Sequence, residues 1–145
     1  MISEERISEV LGAGRTPTSK RAFKPVPLRE QVRAGFRFSA LEAFQRRYRL
    51  SPEQLRELID ISERTISRRR QEQRLTKSES DRLYRVARVA ALAEDMFGSP
   101  AAVESWLKEP NPALGHVTPL SLMDTDEGTQ TVTDILGRIE HGVYS

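Results

Sequence analysis

Residues 50–74, LSPEQLRELIDISERTISRRRQEQR, carry two helical patterns set only three residues apart. Ser51, Pro52 and Gln54 stand at the N-cap, first and third positions of a capping box, where the serine and glutamine side chains satisfy amides that would otherwise lack partners. Leu55, Leu58 and Ile59 then give the first helix its apolar face. Asp60, Ile61 and Ser62 form the turn, and Ser62 is placed to cap a second helix starting near Glu63. Helices joined this closely cannot run independently, so the pair predicts a helix-turn-helix corner around which the rest of the chain must pack.

The flanking sequence is helical wherever it has a period. A short amphipathic helix is expected over residues 3–11, with Ile7, Val10 and Leu11 inward and glycines 12 and 14 stopping it. RTPTSKRAFKPVP, residues 15–27, has three prolines and four cations and predicts an extended linker. A short helix follows up to Gly35, and Ser39 is the expected cap of a helix bearing Leu41, Phe44 and Tyr48. The longest pattern, residues 76–97, opens on a second capping box, Thr76 with Glu79, and carries Leu83, Val86, Ala87, Ala90, Ala93 and Phe97 on one stripe. Gly98 ends it. Ser99 caps the next helix, which turns Val103, Trp106 and Leu107 inward and stops before Pro110 and Pro112. Thr118 with Pro119 starts another, and residues 126–140 form the last, with Val132, Ile135, Leu136 and Ile139 on one face and Gly142 at its end. With no competing strand pattern, the expected fold is all-α.

Chemistry is narrowed by what the chain lacks. It has no cysteine, which removes disulfides and thiolate catalysis, and its two histidines, His116 and His141, cannot furnish a tetrahedral metal set. No metal or cofactor is expected. No nucleophile stands beside a base, and no glycine loop is shaped to cradle phosphate, so an enzyme is not expected either. The acidic, amphipathic N-terminal segment is unlike an export signal, and no stretch approaches the ~20 apolar residues of a membrane span. A cytoplasmic protein with no membrane partner is the expectation.

Charge is segregated along the chain. Residues 1–95 hold 21 Lys and Arg against 14 Asp and Glu, a net +7, whereas residues 96–145 hold 2 against 7, a net −5. A basic front and an acidic back suit two different partners.

At ~100° per residue, Arg64 and Arg68 fall about 160° from the core-facing Ile66 and Gln71 about 140° from it, all three on the outward face. Thr65 and Ser67 flank them. Arg69, Arg70 and Arg74 lie toward the sides of Ile66. The expected division is that Arg64, Arg68 and Gln71 read base edges while the lateral cations hold phosphates, with Ser62 at the helix N-terminus beside them. A solvated surface helix could carry the same charges; the turn, the cap and the facing together favour operator DNA.

LSPEQLRELIDISERTISRRR resembles the Xre-type helix-turn-helix of bacterial regulators, departing from its commonest pattern at Arg56 in the first helix and at Asp60, where the turn usually has glycine. Downstream, the ordered run of FG, WL, PNPALG, TPL and LGRIEHGV resembles the toxin-binding domain of the Xre/MbcA/ParS antitoxins, as does RLTKSESDRLYRVARV before it. The resemblance covers roughly residues 50–145. Together with the helix pattern it gives the expected division: residues 1–35 as N-terminal helix and Pro-rich linker, 36–97 as the helix-turn-helix DNA-binding domain and 98–145 as the toxin-binding domain. It further implies a non-enzymatic type II antitoxin, neutralising a RES-domain toxin that consumes NAD or transfers ADP-ribose and repressing its own operon; because operators read by such motifs are usually two-fold symmetric, a homodimer is expected.

From the residues alone, Trp106 and Leu107 read as core, His116 as a loop residue, and Asp124, Asp126, Glu127 and Asp134 as solvated carboxylates. A toxin that binds an anionic dinucleotide needs a positive pocket, which an acidic partner would complement. The tail, Glu140, His141, Gly142, Val143, Tyr144 and Ser145, is the expected toxin-contacting segment, obstructing the NAD entrance; a frayed terminus is the alternative. For the whole chain the alternative is a stand-alone regulator whose C-terminal half serves dimerisation or sensing.

Overall fold

In the computed structural model, residues 2–12 and 26–142 are described. Most of the expected linker, residues 15–25, lies outside them. The described residues form nine α-helices and no strand: α1 (Glu4–Val10), α2 (Leu28–Ala34), α3 (Phe38–Arg47), α4 (Pro52–Ile59), α5 (Glu63–Glu72), α6 (Lys77–Phe97), α7 (Pro100–Lys108), α8 (Pro119–Leu122) and α9 (Asp126–Glu140), with a 3₁₀ turn at Pro112–Leu114.

The helices begin where their caps dictate. Ser51 Oγ accepts from the Gln54 amide at 3.0 Å and the Gln54 side chain accepts from the Ser51 amide at 2.9 Å, closing the capping box of α4. Ser62 and Thr76 do the same service for α5 and α6 through the amides of Thr65 and Glu79, at 3.1 and 3.2 Å. Asp60 takes the left-handed conformation, φ 58° and ψ 49°, so the turn keeps its geometry without the usual glycine. α3 differs from expectation. Arg37, not Ser39, occupies its N-cap and supplies no side-chain cap, because Phe38 is itself buried and is drawn into the helix as its first residue.

α6 is the axis of the molecule. Its apolar stripe, Leu83, Val86, Ala87 and Ala90, is almost wholly inaccessible, and α1, α2, α4, α7 and α9 all pack on it. Small residues on the stripe let those helices approach closely. Phe44 of α3 and Tyr48 at its C-cap meet edge to face at 5.3 Å on the same core. Leu107 is buried as expected. Trp106 is only half-buried, resting against Phe97 with ring centroids 5.5 Å apart, because both lie at the rim where α6 ends and α7 turns away.

A carboxylate interrupts the stripe. Glu94, with a side chain 2% exposed, takes both prongs of Arg47, Nε to Oε1 at 2.9 Å and Nη2 to Oε2 at 2.7 Å, and a third contact from Arg6 at 3.3 Å. A buried carboxylate requires such partners. The cluster pins α1 and α3 to the C-terminal half of α6.

Candidate functional site

α5 is seated by Ile66, which is 8% exposed, and by the Ser62 cap, whose hydroxyl also bonds Thr65 Oγ1 at 3.0 Å. That seating turns Arg64, Ser67, Arg68 and Gln71 to solvent, where they make no hydrogen bond or ion pair among the described residues. Thr65 is half-buried beneath them. The outward face is thus a set of forked donors and an amide, presented by a helix whose N-terminus is directed outward from a sharp turn. Such a face has the dimensions and donor geometry to enter a DNA major groove.

The lateral cations are held by the protein itself. Arg69 Nε donates to Glu79 Oε1 at 2.7 Å and its Nη1 reaches Glu72 at 3.4 Å, leaving the arginine side chain 13% exposed. Glu79 also accepts from the Thr76 amide at 2.8 Å. Burial alone would raise the Glu79 carboxyl, but the Arg69 and Thr76 hydrogen bonds outweigh it and hold the group below its ordinary range. Arg70, still exposed, lies over the Phe38 ring at 5.4 Å. Arg74 donates to the Gly35 carbonyl at 2.8 Å, closing the C-terminus of α2. Arg69 and Arg70, roughly 60° and 40° from Ile66 by helical angle, reach side chains of neighbouring helices from the flanks of α5, while Arg74 lies past its end, beyond the left-handed Gln73.

A second constellation joins α4, α6 and α9. Arg82, 12% exposed, donates to the Leu58 carbonyl at 3.0 Å, to Asp126 Oδ1 at 2.7 Å and to the Met123 carbonyl. Arg85 takes the other Asp126 oxygen at 2.7 Å and Asp81 at 2.6 Å. Hydrogen bonds from Arg85 and then Arg82 hold the Asp126 carboxyl below its ordinary range. Asp126 is exposed to solvent, as expected, but is also ion-paired, and Arg82 has a role that its sequence position alone does not announce. The missed signal is that Arg82 sits four residues before Val86, about 40° from the buried stripe, where an arginine needs partners.

At the other end of α9, Glu140 closes the helix, His141 is its C-cap and Gly142 turns left-handed at φ 68°; all three are exposed. Val143, Tyr144 and Ser145 lie outside the described residues. Among the described residues no group of His, Asp and Glu is arranged to hold a metal ion, and no helix is long and apolar enough to cross a membrane.

Residues 27–88 match the antitoxin Xre-like helix-turn-helix domain, and residues 92–142 match the antitoxin Xre/MbcA/ParS C-terminal toxin-binding domain. The Antitoxin Xre of Yersinia enterocolitica is 32% identical over 126 residues, covering 86% of this chain and 85% of that protein. The Antitoxin Xre of Pseudomonas putida is 34% identical over 113 residues, covering 77% and 70%. A Sphingobium protein named Prs ADP-ribosylating antitoxin is 27% identical over 147 residues, covering 92% of each.

Proposed function

The chain belongs to the Xre/MbcA/ParS family of type II antitoxins, and from that premise we propose that it binds and neutralises a RES-type, NAD-consuming or ADP-ribosylating toxin and represses its own operon. The observation that carries the toxin half is the match of residues 92–142 to a toxin-binding domain. The net −5 of residues 96–145 supports it, since an acidic surface complements a pocket built for an anionic dinucleotide. In this reading the chemistry belongs to the toxin and the antitoxin catalyses nothing. Residues 98–145 engage the toxin, residues 36–97 engage DNA, and the exposed end of α9 carries the tail toward the toxin's NAD entrance.

The DNA half rests on the outward face of α5. Arg64, Arg68 and Gln71 are the base-reading set, and Ser62, Thr65 and Ser67 border it. Among the lateral cations Arg70 remains exposed for phosphate, whereas Arg69 and Arg74 already serve carboxylate and carbonyl partners. A homodimer matches a two-fold operator.

Co-expression with the product of the neighbouring reading frame tests the proposal. Growth rescue together with recovery of a stable complex is the expected result. A chain that binds its own promoter, yet neither rescues growth nor holds any neighbouring gene product, is a stand-alone regulator instead. Within the complex, removal of residues 142–145 is expected to weaken inhibition of the toxin; full inhibition by the shortened chain removes the tail from the mechanism.

A further inference from the structure

Arg37 precedes the helix-turn-helix in sequence, yet the fold delivers it to the far end of α5. The Phe38 amide donates to the Gln73 carbonyl at 3.0 Å and the Leu75 amide to the Phe36 carbonyl at 2.9 Å, so Arg37 and Arg74 face each other in an antiparallel bridge. They form its non-hydrogen-bonded pair, the closer of the two kinds, with Cα atoms about 4.5 Å apart and side chains on one face. Like charges in that relation are unfavourable unless something lies between or beside them. Arg74 is committed to the α2 carbonyls, and Glu72, which lines the same cleft, is turned to Arg69 at 3.4 Å. The Arg37 side chain is exposed and has no hydrogen bond or ion pair among the described residues; only its carbonyl is used, accepting from the Ala40 amide at 3.0 Å. The cleft has a volume of about 330 Å³ and is also lined by Ser39 and Gln73.

Its position relative to α5 says what would fill it. The helix has ten residues and is therefore about 15 Å long, whereas a major groove is about 12 Å wide. With the first turns of α5 at base edges, the chain beyond Gln71 is carried out to the phosphate rim. Gln73, left-handed at φ 60°, turns it there, so that Arg74 meets Arg37.

We infer that Arg37, set against Arg74, binds a phosphodiester oxygen of duplex DNA and extends the interface beyond the helix-turn-helix. The inference rests on the DNA reading of α5 given above. A phosphate accepts from the fork of Arg37 and offsets the positive charge that Arg74 adds at the same bridge.

The test uses the full chain and two duplexes of equal composition, one taken from just upstream of its own reading frame and one scrambled, titrated from about 50 to 200 mM salt. Arg37→Ala is expected to weaken binding to both duplexes by the same factor, about three- to ten-fold, and to lower the salt slope by about 0.9, while Arg37→Lys keeps the slope. The thermal midpoint is expected to stay at the wild-type value, since the side chain is exposed. An unchanged slope in Arg37→Ala, with Arg64→Ala abolishing the preference between duplexes, overturns the inference and leaves the reading of α5 standing. A wild-type chain that prefers neither duplex and is indifferent to Arg64→Ala removes both.

Discussion

Ile66 sorts the cations of α5 by angle. Arg64 and Arg68 lie on the far side of the helix from it and are exposed without partners among the described residues, whereas Arg69 lies close to its side and is locked to Glu79. The two classes should respond oppositely to truncation. Arg64→Ala or Arg68→Ala is expected to reduce the preference for the chain's own promoter by roughly 1–3 kcal/mol with no loss of stability, as read by competition binding and thermal melting. Arg69→Ala is expected to cost about 3 kcal/mol in chemical denaturation, because it leaves the Glu79 carboxylate buried without its charge partner. The pH dependence follows from the direction of the Glu79 shift. A carboxyl held below its ordinary range contributes stability above that range and loses it as the pH falls through the folded value. The gap between wild type and Arg69→Ala should therefore narrow below about pH 4.

At the scale of elements, caps and glycines decide where helices start and how near they come. Gly128 lies in the first turn of α9, where an added Cβ would stand 1.6 Å from the Leu122 carbonyl oxygen. Gly137 lies in the same helix with nothing within 4 Å of its added Cβ. Gly128→Ala is accordingly expected to lower stability by about 3 kcal/mol, and Gly137→Ala to raise it by about 0.5–1 kcal/mol, both read as shifts in denaturation midpoint. Equal effects would mean that the α8–α9 corner is not closed as described. Asp60 shows a further local rule: the turn needs a left-handed residue, and aspartate meets the need with less strain than most side chains. That departure from the usual glycine was visible in the sequence, as were the caps at Ser51, Ser62 and Thr76.

For the molecule as a whole, α6 spans both matched domains, since the match to the helix-turn-helix domain ends at residue 88 and the match to the toxin-binding domain begins at residue 92. Arg82 ties the carbonyl at the end of α4 to the start of α9. Arg82→Ala is expected to lower the stability of the whole chain in one transition by about 1–3 kcal/mol, through the lost hydrogen bonds to the Leu58 and Met123 carbonyls, with the signals of both halves moving together. Two separated transitions would show that the halves fold independently. The sequence by itself determined the all-α class, the helix-turn-helix corner and the outward set Arg64, Arg68 and Gln71, because caps and helical periods act within four residues along the chain. Only the tertiary structure decided that Arg69 serves Glu79, that Arg6 and Arg47 converge on Glu94, and that Arg37 comes to face Arg74. Those pairings depend on how helices are turned toward one another, and a period fixes which face is apolar but not which distant side chain that packing brings within reach.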